Sequence, residues 1–175
     1  MNKIGVICDS DLGYEGKRFN RPTHRFASRG LVFNEIGQIA ILNKSNKNEY
    51  KLPGGGIEKN ETKEEAFRRE VLEETGCEVT DIEFLGVIEE LKSHTNFVQT
   101  SYVFKAIITK NHHRLFLSEK ELSEGGRLIF LDIHDALKTM KDCLNHLVAS
   151  SYESVYMTEF IVYRDIKILE FYLNN

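Results

Sequence analysis

The sequence holds 175 residues, a length that suits one domain with a core of ordinary size. Hydrophobic residues make up 41% and charged residues 29%, both near soluble globular averages, and the formal charge of −4 argues against a nucleic-acid partner. No apolar stretch approaches the length of a membrane span, and Cys8, Cys77 and Cys143 are scattered with no metal-ligand spacing, so a cytoplasmic protein with reduced thiols is expected.

Residues 3–8 alternate well enough for a short edge strand, and Asp9 follows too soon for the apolar region of a secretory signal. Residues 9–16 read as loop. Then come Lys17, Arg18, Arg21, Arg25 and Arg29 with no acidic residue among them. Such a run is either a solvated basic segment or a source of cations for the outer oxygens of a phosphate-rich ligand, for which the arginine fork is well shaped. Arg29, at the mouth of the next strand, and Arg25 are the candidates for the second role. Arg29–Phe33 and Gln38–Asn43 are apolar runs of strand length joined by a turn at residues 34–37, which predicts a hairpin.

The stretch from Pro53 to Cys77 carries the chemistry. Thr62 and Glu65 are spaced as a capping box, and Gly76 suits the left-handed residue past a last helical turn, so a helix is expected over 63–75. At about 100° per residue, Glu70, Glu73 and Glu74 fall in one sector of that helix. Like charges at these spacings repel, and a cation between them reverses the sign. Carboxylate oxygens are hard ligands of the kind Mg²⁺ accepts, and the glycines ahead of the helix let backbone carbonyls approach the same ion. The bland alternative is a charged surface helix whose Arg68 and Arg69 balance its glutamates.

Gly55, five residues, Glu61, seven residues, Arg69-Glu70, Val71, Leu72, Glu73-Glu74, Thr75, Gly76, Cys77 resembles the Nudix box. All seven fixed letters match, a coincidence expected at about one start in 10^8. Cys77 stands where the pattern prefers Ile, Leu or Val, and a buried thiol behaves as a small apolar group.

Beyond the box, 81–90, 97–109 and 127–131 read as strands of a mixed sheet on which the box helix packs. Residues 117–124 form an acidic loop or short helix, with Ser118 and Glu121 themselves spaced as a capping box. A helix is expected over 132–144. From Tyr152 onward, Val155, Val162, Ile166, Leu169 and Leu173 recur at helical spacing, which predicts a long C-terminal helix packed on its own sheet or forming the seam of a homodimer.

The resemblance implies an α/β (α+β) fold, a Nudix-like α/β/α sandwich with a mixed sheet. One domain over 1–175 is expected, with 1–24 as N-terminal extension, 25–145 as core and 150–175 as C-terminal helix. It implies hydrolysis of a diphosphate linkage in a nucleotide or nucleoside diphosphate derivative, with Mg²⁺ or Mn²⁺. Carried over by position, Glu70, Glu73 and Glu74 are metal ligands, Gly55 offers its carbonyl, Arg69 holds the carboxylates and Glu61 braces the loop. Glu121, or next to it Glu119, is the further ligand or base that many family members supply. The substrate stays open: the prolines are Pro22 and Pro53, both upstream, the first tyrosine after the box is Tyr102, and tryptophan is absent. So does the choice between a hydrolase and a catalytically weak nucleotide-sensing module.

Overall fold

In the computed structural model, which describes residues 2–175, apolar alternation builds eight strands into one mixed sheet. In chain order these are β1 (Lys3–Cys8), β2 (Thr23–Phe33), β3 (Ile39–Lys44), β4 (Glu49–Lys51), β5 (Gly54–Gly56), β6 (Cys77–Lys92), β7 (Phe97–Asn111) and β8 (Gly126–Leu131). The helices are α1 (Lys63–Thr75), α2 (Glu119–Ser123), α3 (Ile133–Cys143) and α4 (Val155–Leu173). Strand order runs β1-β6-β7-β2-β3-β4, with β5 against β2 and β8 against β3. The β1/β6 and β2/β7 pairs are parallel and the rest antiparallel.

Successive residues of a strand face opposite ways, so each buried strand feeds two cores. Leu31, Ile39, Ile41, Ile88 and Val103 pack on one face against Ala136 and Met140 of α3 and Phe160, Ile166 and Leu169 of α4. Val32, Ala40, Phe104 and Ala106 pack on the other against Phe67 and Val71 of α1. Each fully buried side chain of this size contributes about 1.5–3 kcal/mol. The layers are therefore helix, sheet, helix, as the resemblance implied. The α4 stripe holding Val162, Ile166 and Leu169 is buried against this chain's own sheet.

Four elements differ from the sequence reading, among them β4, which that reading does not contain, and β6, which begins at Cys77 rather than Asp81. β2 begins at Thr23 rather than Arg29, because residues 23–26 are exposed and carry no apolar alternation; their strand conformation comes from pairing with β7, Thr23 opposite Phe97 through Phe33 opposite Ile107. The triple glycine is a strand as well as a loop: Gly54, Gly55 and Gly56 pair with Arg29, Ser28 and Ala27. Since β2 meets β3 only at Phe33 and Ile39, β5 lines the place where the two strands part. That parting opens the cleft described next.

Candidate active site

The cleft has a volume of about 410 Å³ and is lined by residues of β2 to β7 and of α1, α2 and α4. Its acidic wall is α1. Thr62 Oγ1 accepts the Glu65 amide at 3.2 Å while Glu65 Oε2 accepts the Thr62 amide at 2.8 Å, which fixes the first turn, and Gly76 at φ 68° ends the helix. Arg69 ties this helix to the loop before it. Its guanidinium donates to Glu61 Oε1 at 2.8 Å, to the Gly56 carbonyl at 2.9 Å, to Glu70 Oε1 at 2.8 Å and to Glu73 Oε2 at 3.3 Å. Those carboxylates raise its pKa further, so it is always charged.

The three α1 glutamates sit at different depths. Glu73 is half-exposed, Glu70 lies against Gly55, and Glu74 is buried. A Cβ on Gly55 would stand 2.5 Å from the Glu70 carboxylate, so any other residue there would push that carboxylate from its place. Glu74 accepts the Lys51 ammonium at 2.6 Å and the Gly54 amide at 2.7 Å. Burial pushes its pKa up to about 7 against the pull of Lys51, and the nearby charge of Glu121 adds to the rise. Among the described residues no three His, Cys, Asp or Glu side chains form a metal-ligand cluster. Protein cations engage the carboxylates instead, Arg69 for Glu70 and Glu73, Lys51 for Glu74.

Glu121 closes the acidic side from α2. Its Oε2 accepts the Ser118 amide at 3.0 Å, and its Oε1 faces Lys51 Nζ at 3.7 Å. The capping role and the place in the cleft are thus both realised, by different oxygens. Burial alone would raise its pKa, yet Lys51 and hydrogen bonds from Glu74 and Ser118 hold it at about 2. Glu119 is exposed and outside the cleft lining.

The opposite wall is basic. Of the five cations between residues 17 and 29, Arg25 and Arg29 line the cleft, while Lys17, Arg18 and Arg21 are exposed away from it. Arg29 is 4% exposed and donates from Nε to Ser101 Oγ at 3.1 Å. Burial, and then the positive charge of Arg164, lower its pKa to about 10. Five further cations line the cleft, Lys44, Lys51, Lys92, Lys120 and Arg164. Sequence reading missed these, and two carried a signal: Lys92 follows Ile88 and Glu90 in the buried phase of β6, and Arg164 lies midway between Phe160 and Ile168 on the buried stripe of α4. A charge in a core phase marks a buried ion. Phe97, Met157 and Ile161 supply the apolar part of the lining.

A family model described as the NUDIX domain matches residues 23–149. A MutT-like protein from Streptomyces ambofaciens is 38% identical over 66 residues, 38% of this chain and 43% of its own length. An RNA pyrophosphohydrolase from Stutzerimonas stutzeri is 38% identical over 56 residues, 32% of this chain and 35% of its own length. The match thus spans less than half the length of these relatives. A solved NUDIX hydrolase from Nitrosomonas europaea superposes with a TM-score of 0.62 at 13% identity, over 87% of this chain and 90% of that one. A MutT protein from Bacillus halodurans superposes with a TM-score of 0.53 at 22% identity, over 66% of this chain and 72% of that one. At these identities the likeness is one of fold.

Proposed function

This chain belongs to the Nudix family, and from that premise we propose that it is a metal-dependent pyrophosphohydrolase acting on a diphosphate linkage in a small nucleotide or nucleoside diphosphate derivative. The observation that carries the reading is the cleft itself, in which Glu70, Glu73, Glu74 and Gly55 line one 410 Å³ space together with Arg25 and Arg29.

The residues fit a divalent cation. The donors on the acidic side are all hard oxygens, Glu70, Glu73 and Glu74 of α1 with Glu121 of α2, and Gly55 beside Glu70 leaves room that a Cβ would fill. Glu70, Glu73, Glu74 and the Gly55 carbonyl would hold Mg²⁺ or Mn²⁺. Such an ion, when bound, neutralises phosphate charge and makes a bound water more acidic.

The chain's own groups do the rest. Arg69 keeps the carboxylates and the Gly56 carbonyl in fixed relation through five hydrogen bonds to four residues. Arg25, the exposed one of the two β2 arginines, takes the outer oxygens of the scissile diphosphate, while Arg29 stands deeper in the same cleft. Glu121, with one oxygen held by Ser118 and the other 3.7 Å from Lys51 Nζ, is the further carboxylate of the site, and one of the cleft glutamates takes the proton of the attacking water. The water oxygen then bonds to phosphorus in line with the bridging oxygen, which leaves with the second phosphate. Products are a nucleoside monophosphate and a phosphorylated remainder, or pyrophosphate when the substrate is a triphosphate.

The test is a panel of nucleoside triphosphates, oxidised nucleotides, nucleotide sugars, ADP-ribose, dinucleotides and a 5′-triphosphorylated RNA oligomer, each with Mg²⁺ and with Mn²⁺, beside Glu70→Gln. Cleavage by the wild type alone supports the assignment. Nucleotide binding that raises the melting temperature with no turnover on the whole panel would replace it by a sensing module.

A further inference from the structure

The inner end of the cleft holds more positive charge than one scissile linkage requires. Arg29, Lys92 and Arg164 come from three elements, β2, β6 and α4, and all line the cavity while being 4%, 2% and 1% exposed. The carboxylates that partner them, Glu90 and Asp165, are fully buried and do not line it. Lys92 Nζ meets Glu90 Oε1 at 2.8 Å, Arg164 Nη1 meets Glu90 Oε2 at 3.2 Å, and Arg164 Nε meets Asp165 Oδ1 at 2.8 Å. Gln99 also donates to Glu90 Oε2, at 2.8 Å, and so fixes that carboxylate behind the cations.

Glu90 and Asp165 pair with Lys92 and Arg164, and Arg29 forms no salt bridge among the described residues, its Nε donating to Ser101 Oγ. Arg164 Nη2 is buried and, among the described residues, has no hydrogen-bond partner. An unpartnered guanidinium nitrogen in low dielectric costs free energy that a ligand oxygen would restore. The cations also repel one another there, and an anion placed between them would relieve that repulsion.

We propose that Arg29, Lys92 and Arg164 form a second anion subsite, which holds a phosphoryl group of the substrate other than the two joined by the scissile bond. The inference rests on the hydrolase reading for the position of that bond. It narrows the substrate to a nucleotide with a third phosphoryl group, carried either on the phosphate chain or on the organic arm. Phe97, Met157 and Ile161 flank the subsite with apolar surface suited to the atoms that carry the group.

Calorimetry with inorganic phosphate and with tripolyphosphate, without metal, tests the subsite directly. The wild type and Glu70→Gln bind both, while Lys92→Met and Arg164→Lys each weaken binding at least about tenfold, the loss expected for one charge-assisted hydrogen bond. Melting curves establish that each variant is folded, and Lys92→Met carries the test if Arg164→Lys is not. Equal affinity in the wild type and every folded variant, or no binding to a folded wild type, overturns the subsite. Hydrolysis absent while phosphate binding follows this pattern would remove the catalytic reading instead. With active enzyme, a loss of kcat/KM in Lys92→Met confined to nucleoside triphosphates places the third group on the phosphate chain; a loss confined to diphosphates with a phosphorylated arm places it there.

Discussion

Glu90→Gln should both destabilise the protein and alter how its stability depends on pH. The Glu90 carboxylate is fully buried between Lys92 and Arg164. Burial would raise its pKa, yet Arg164, Lys92 and Arg29 draw it from 4.5 to about 2. A depressed carboxylate contributes stability that is present above the unfolded pKa and is lost as pH falls through the folded one. The difference corresponds to roughly 3 kcal/mol at pH 7, of which about 2 kcal/mol is gone at pH 3. Breaking a buried pair by removing one partner costs about 3–5 kcal/mol, in agreement. The assay is urea unfolding of both proteins at pH 7 and pH 3. The gap should narrow from about 3 to about 1 kcal/mol, and at neutral pH the variant should melt roughly 6–12 °C lower, at about 2–4 °C per kcal/mol for a chain of this size. A gap of the same size at both pH values would refute the ionised Glu90 and with it the charge count of the inner subsite.

Glu70→Gln should lower kcat at least about 100-fold, the scale of losing a ligand or base, with the fold kept; unchanged turnover would remove Glu70 from the site. Gly55→Ala places a methyl group 2.5 Å from the Glu70 carboxylate, so it should weaken Mg²⁺ binding measured by calorimetry, and unaltered affinity would show the glycine to be there for the strand alone. Because burial holds the Glu74 carboxyl near pKa 7, a cation must displace its proton; Mg²⁺ affinity should fall as pH drops from 8 to 6, with proton uptake by the buffer as the readout. An affinity independent of pH over that range would contradict it. In the metal-free protein the same raised pKa makes Glu74 a cost that grows as pH rises from 4.5 to 7, since the unfolded chain ionises first.

What could be read from the chain was what local chemistry decides. The helix over 63–75 has the bounds its capping box and Gly76 imply, because those signals act within a few residues. β5 was hidden: three glycines have no strand propensity, and their strand exists because β2 offers Ala27, Ser28 and Arg29 as partners. Of the basic residues from 17 to 29, Lys17, Arg18 and Arg21 precede β2, and Arg25 and Arg29, four apart on one face of that strand, line the cleft. Lys51 escaped notice because nothing local distinguishes it; its meeting with Glu74 and Glu121 depends on β4, α1 and α2 coming together.

α4 shows why fold and site are hard to separate in this protein. A helix that only covered a sheet would place apolar groups where Arg164 and Asp165 stand, and replacing buried ions by well-packed hydrophobic side chains is often neutral or stabilising by about 1–4 kcal/mol. Stability therefore does not account for the pair. Asp165 instead works in two directions: Oδ1 accepts Arg164 Nε at 2.8 Å, and Oδ2 accepts the Leu52 amide at 2.8 Å, one residue ahead of Pro53 and the glycine strand. One carboxylate thus fixes a cation on the basic wall and the backbone that leads to Gly54, whose amide in turn holds Glu74 on the acidic wall at 2.7 Å. Through Asp165, Leu52, Gly54 and Glu74 the two walls are set at a fixed spacing by hydrogen bonds that are all buried. On the proposed reading, the carboxylates that would hold a metal and the cations that would hold phosphate are thus tied together through helix α4.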